Sequence, residues 1–110
     1  MKIGGNIEST IQILSVAQND IGEDITTFEN VRTVKGFLDL ISGEANFSNF
    51  SAKIQQSTHV FICDFFELGQ ITSENSRMMI GGKVYEITLI DNPMELNRHL
   101  EIFLKFLGGV

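Results

Sequence analysis

The chain has 110 residues, enough for one domain with its own hydrophobic core and too few for two. Hydrophobic residues make up 43% and charged residues 20%, ordinary globular usage that excludes a disordered or fibrous chain. Fourteen acidic against eight basic side chains leave a formal charge of −6, which argues against tight wrapping of DNA or RNA, an affinity built on Lys and Arg neutralising phosphates.

The basic residues stand singly, as at Lys35, Lys53, Lys83 and Lys105, and form no stripe. Cys63 is the one cysteine and sits inside the apolar run HVFICDFF. That excludes a disulfide framework and a paired thiolate site, and favours a reducing compartment. No apolar run approaches the roughly 20 residues of a membrane span, and the start MKIGGNIEST lacks the apolar stretch of a signal peptide. The chain therefore reads as cytosolic at synthesis, without a membrane partner. With one proline, Pro93, no Gly/Ser-rich linker and no repeat, residues 1–110 read as a single domain.

In chain order, STIQILSVA (Ser9 to Ala17) alternates, with Ile11 and Ile13 on one face and Leu14 and Val16 on the other, a strand expected to be covered on both faces. A polar loop follows, carrying Asp20, Glu23 and Asp24. The run from Thr26 to Ile41 is the second extended segment, in which Leu38 and Leu40 share a face and Gly36 is a place to bend. From Ser42 to Ser57 small and polar residues dominate, yet Phe47, Phe50 and Ile54 recur at helix-like spacing; a short helix and an irregular loop both fit.

THVFICDFF (Thr58 to Phe66) reads as a central strand with Val60, Ile62 and Asp64 on one side and His59, Phe61, Cys63 and Phe65 on the other. Two more alternating runs, Arg77 to Ile80 and Lys83 to Asp91, flank the pair Gly81-Gly82. In NRHLEIFLKFL (Asn97 to Leu107), Leu100, Ile102, Leu104 and Phe106 fall in phase, which fits a last strand better than a helix. The fold class expected is all-β, a small antiparallel β-barrel with a long, irregular or partly helical loop between the second and third strands.

Several chemistries can be weighed against this frame. A Walker-type phosphate loop aligned on Lys83 would need glycine where Arg77 stands and a hydroxyl where Val84 stands, so it fails twice. Two adjacent glycines between alternating runs instead suit a two-residue hairpin turn, which demands positive φ at both positions. His59 and His99 have no partner at a recognisable ligand spacing, so no metal site is expected. His59 and Cys63 share a strand face but would stand about 13 Å apart at the usual strand rise, too far for proton transfer, and Cys63 reads as a small core residue. Asp64 is the odd acid on an apolar strand. It is either a buried carboxyl with a raised pKa or, the favoured reading, a side chain reaching solvent or a backbone partner. The acidic loop lacks the spacing of a calcium loop and reads as solvated. Within Ser42 to Ser57, Phe47 and Phe50 must either cover the sheet or meet a partner. No catalytic residue and no cofactor site emerges.

Laid out in this order, the elements resemble the phage head–tail joining family, also described as head closure or head completion proteins. The resemblance rests on the early strand and acidic loop, on DLISGEANF, on STHVFIC, and above all on MIGGKVYEITLIDNPMELNRHLEIFL. In that ending Gly82-Lys83, Tyr85, Ile87, Asn92 and Asn97-Arg98 match the family's hairpin, turn and last strand. Together these cover nearly the whole chain. The departures are IESTIQI, where the family often has a basic approach to the first strand, and the extra glycine Gly81.

The resemblance implies a non-enzymatic connector of a phage or prophage virion, made in the host bacterial cytoplasm. Such a protein is a homo-oligomeric ring once assembled and a monomer alone. It sits beneath the portal or head adaptor protein and is met from below by a tail-completion protein. The resemblance further implies that the long loop faces the channel and helps retain packaged DNA without sequence specificity, placing Ser42, Gly43, Glu44, Asn46, Phe47, Asn49, Phe50 and Lys53 there. The alternative class is a β-barrel module for protein interaction or small-ligand binding, with an enzyme more distant.

Overall fold

Each run that alternates in the sequence is a strand. The computed structural model describes Gly5, residues 7–41 and residues 57–109. Its strands are β1 (Ile7–Gln18), β2 (Asp24–Leu40), β3 (His59–Asp64), β4 (Ser76–Ile80), β5 (Lys83–Asp91) and β6 (His99–Gly109). All pair antiparallel in one sheet that closes on itself in the order β1-β2-β3-β6-β5-β4. Closure leaves no open edge along the paired stretches, which is how a small β-protein avoids templating aggregation.

The all-β, antiparallel reading holds; β3 is hydrogen-bonded to β2 on one side and β6 on the other, but in a sheet that closes on itself every strand is so flanked and none is central. The helical alternative for Ser42 to Ser57 finds no support: among the described residues the sole helical element is a short 3-10 turn at Pro93–Glu95, and residues 42–56 lie outside the described ones.

The strand period sorts side chains as it should. Ile11, Phe61, Met78, Ile87, Leu100, Ile102 and Leu104 point inward and are fully buried, with Cys63 among them. Tyr85, Ile71 and Phe66 belong to the same buried cluster. Burying one such side chain stabilises by about 1.5–3 kcal/mol, so the interior carries most of the stability.

Gly36 is what lets the largest of them fit. On β2 it lies in register with Cys63, and a Cβ there would stand 2.8 Å from the Phe61 ring and closer still to the carbonyl oxygen of Ile62. The glycine therefore serves close packing as well as any bend. At the other glycine position singled out, Gly81 (φ +56°) and Gly82 (φ +79°) form the two-residue β4–β5 turn, closed by the Ile80–Lys83 pair, as the hairpin reading required.

One expectation needs correction, and two residues that keep the inward phase prove exposed. Leu14 and Val16 are exposed, as are Ala17 and Gln18, so the distal part of β1 is not covered on both faces. Leu40 shares its face with Val34, Gly36 and Leu38 but is exposed, because it lies at the end of the closed sheet. Phe106 is also largely exposed: Tyr85 pairs with Phe106 and Val84 with Gly108, which leaves Leu107 as an extra residue, a bulge that ends the inward phase of β6.

A second bulge at Thr88, between the Ile87–Leu104 and Leu89–Phe103 pairs, turns its hydroxyl inward. That hydroxyl donates to the Phe103 carbonyl at 3.1 Å, so the Ser57 hydroxyl, 2.6 Å away, must donate to it. A polar network is thereby satisfied in a buried place. Ser9 likewise donates to the Val34 carbonyl at 2.9 Å across β1 and β2.

Replacing Gly36 with Ala is expected to cost about 1–3 kcal/mol in urea denaturation, because the added methyl overpacks against Phe61 and the β3 backbone. Cys63 is expected to resist thiol reagents until the protein is unfolded: burial first, then the neighbouring Asp64 carboxylate, push its pKa up to about 12, against the partial opposition of Arg32. Because folding raises this pKa from 9.0, its stability contribution is full below the unfolded value and is lost as pH climbs from there toward about 12. A Cys63→Ala variant should show a flatter alkaline decline in the same denaturation series.

Candidate functional site

The two ends of the closed sheet are unlike. Register places Asp64, Asp91 and His99 at one end, and Leu40, His59, the Gly81-Gly82 turn and Gly109 at the other.

At the first end, β1 and β2 outrun their neighbours. β1 pairs with β4 only from Thr10 to Ile13, and β2 with β3 only from Gly36 to Leu40, whereas β1 and β2 stay paired to Gln18–Asp24. Residues 14–28 are thus a two-stranded arm reaching about 16 Å past the sheet, at about 3.3 Å per residue. Its loop is closed by Asn19, whose side-chain oxygen accepts from the backbone N–H of Ile21 (3.1 Å) and of Glu23 (2.9 Å). This is the acidic loop. It is solvated, and it is also the tip of a projecting element.

A bulge at Val31, between the Ile11–Arg32 and Gln12–Asn30 pairs, marks where the arm departs. Arg77 of β4 fixes its angle: the guanidinium lies 3.8 Å from the Phe28 ring centre, and its Nε donates to Gln12 at 2.7 Å. Gln12 in turn donates to Asn30 at 2.7 Å. On β2, Arg32 lies 4.3 Å over the Phe66 ring. Each cation–π contact at a partly exposed site stabilises by about 0.5–1 kcal/mol. None of Gln12, Phe28, Asn30 or Arg77 was marked as functional in the sequence. The available signal was length, since β1 and β2 have 12 and 17 residues against 5 in β4.

At the other end, the backbone N–H of Ile41 donates to the Thr58 carbonyl at 3.0 Å, and Thr58 N–H donates to the Leu104 carbonyl at 2.7 Å. The chain thus leaves and re-enters the sheet at one place. Ser42, Gly43, Glu44, Asn46, Phe47, Asn49, Phe50 and Lys53 lie outside the described residues. Ser57, taken in the sequence as the last residue of the loop, is instead a buried structural residue bound to Thr88.

The remaining flagged residues do not converge. His59 meets the Tyr85 ring edge-on at 5.2 Å and shares a 2.7 Å hydrogen bond with Thr58. Burial, then the Lys83 ammonium, hold its imidazole below the usual range. His99 lies at the opposite end, 3.3 Å from Glu101. Asp64 is half-buried where β3 ends and is not enclosed in the core. Beside His99, the turn after β5 is held by Asn92 and Asn97, whose side chains bond at 2.8 Å. With Ile62 and the exposed Met94 and Leu96 it borders an open groove of about 690 Å³ rimmed by Arg98 and Glu101.

Solved structures resemble this arrangement. A protein of Shigella flexneri 2a, SF1141, superposes with a TM-score of 0.68 at 18% identity, over 94% of each chain. A chain from the virion of a native gene transfer agent particle superposes with a TM-score of 0.61 at 12% identity, over 94% of this chain and 96% of that one. At such identities these likenesses show a shared fold. No curated protein matches the chain. The sequence profile of phage head completion proteins matches residues 6–105, from the start of β1 to the middle of β6, and the chain belongs to that family.

Proposed function

We propose that the protein is a non-enzymatic head–tail connector of a phage or prophage. It assembles as a homo-oligomeric ring beneath the portal or head adaptor protein, completes the filled head and presents the surface on which a tail-completion protein docks. It is a virion component made in the cytoplasm of the host bacterium. The observation that carries this reading is the family match over residues 6–105, which takes in five strands whole and most of the sixth. The structural neighbour taken from a gene transfer agent virion supports it, since that chain was itself part of an assembled particle. So does the two-ended layout, which suits a barrel-like protein that must face one component above and another below.

Under this proposal residues 42–56 face the channel and help retain DNA, the chain leaving the sheet by Ile41 and returning by Ser57. A formal charge of −6 suits that position, because DNA must later pass without adhering.

Size-exclusion chromatography with light scattering is expected to show the chain alone at low mass and bound at high mass once portal-containing heads are added. Failure to bind heads at any salt concentration would defeat the connector reading. Deleting Glu44 to Lys53 should leave a folded protein that still joins heads but lets DNA leak from them. Unfolding on that deletion would make the segment part of the core and end its assignment to the channel.

A further inference from the structure

The arm carries apolar side chains that the fold of this chain does not bury. Val16 is 60% exposed, Ile21 79%, Ile25 45% and Leu14 37%, and Val31, at the bulge where the arm departs, is 47% exposed. They occupy both faces and the tip: Leu14 and Val16 stand opposite Phe28 and Thr26, whereas Ile25 stands opposite Ala17 on the reverse face. A free two-stranded ribbon in water is marginal, and this one spends its apolar residues outward.

The arm is nevertheless held in one posture, by Arg77 on Phe28, by the Gln12–Asn30 bond at its root and by Asn19 at its tip. Holding a binding element in place before contact lowers the entropy cost of association.

Charge decides what can cover it. From Leu14 to Val31 there are four carboxylates, Asp20, Glu23, Asp24 and Glu29, and no Lys or Arg. Glu74 adds another beside Leu14 and Phe28 at the root. The nearest cations, Arg32 and Arg77, are turned onto the Phe66 and Phe28 rings. Nucleic acid is repelled by such a surface. A second copy is a poor cover too: it bears the same net charge of −6, and the groove beside Met94 offers it Arg98 against Glu101. Complementarity therefore requires a different protein, basic around an apolar hollow.

We infer that the β1–β2 arm is the element by which this protein docks onto another protein of the particle, its carboxylates meeting a basic rim while Ile21 and Val16 enter an apolar hollow. The inference rests on the connector reading and adds to it which end of the molecule is plugged into a partner.

The test uses the full chain with two purified probes, portal-containing heads lacking this protein and free tails. Two variants are compared with wild type: Asp20→Asn/Glu23→Gln/Asp24→Asn, and Val16→Ser/Ile21→Ser. Both alter exposed positions, and circular dichroism melts should leave their folding unchanged. The charge variant is expected to bind one probe about tenfold more weakly at low salt and to lose most of the salt dependence. The apolar variant is expected to weaken binding to the same probe about tenfold at every salt concentration.

Wild-type binding that both folded variants reproduce would overturn the arm's role and leave the connector reading standing. Wild-type binding to neither heads nor tails would remove both. Loss of self-association in the variants, with binding to heads and tails intact, would make a second copy the occupant and overturn the choice of a basic partner.

Discussion

A closed sheet can be only as long as its shortest wall, and here that wall is β4, with five residues. The other strands must therefore stop, turn or leave once they pass its ends. β1 and β2, with 12 and 17 residues, leave together, and their surplus is the arm. The same closure leaves an interior that side chains must fill, so Phe61 occupies the middle and Gly36 yields the space its ring needs. Arm and core are two results of one limit on strand length.

The bulges show how the limit is met locally. Val31 lets β2 change course where the arm begins, Thr88 turns a hydroxyl inward between β5 and β6, and Leu107 releases β6 from the core phase at its far end. The polar atoms so displaced find partners. Thr88 reaches the Phe103 carbonyl and Ser57, and among the described residues no buried side-chain nitrogen or oxygen lacks a hydrogen bond. The contact between His99 and Glu101 is partly exposed and adds little to this stability.

Much of the architecture could be read from residues alone, because a period of two is a strong signal when both strand faces differ. The inward sets Phe61 and Cys63, and Leu100, Ile102 and Leu104, emerged intact, and Gly81-Gly82 announced its turn by demanding positive φ twice. What failed was the assumption that an apolar residue in a strand is a covered one. Leu14, Val16, Leu40 and Phe106 keep the alternation but lie beyond the reach of closure, and reach depends on register, which one strand's sequence does not encode. The arm's anchors were invisible for a similar reason: Arg77 and Phe28 are far apart in sequence and meet only through β1–β4 pairing. The family resemblance was legible because its markers, from Tyr85 to Arg98, are local in sequence.

The hydrogen bond from Ile41 to Thr58 has a further meaning. It brings β2 and β3 together at the neck of the segment between them, so the sheet is closed whatever that segment contains. Lengthening such an insertion twofold costs only about 0.6 kcal/mol in closure entropy. A change of length there is therefore expected to leave the pairing of the six strands intact. The pairing of the strands is thus set apart, at a single backbone contact, from whatever chemistry the sequence carries between Ile41 and Ser57.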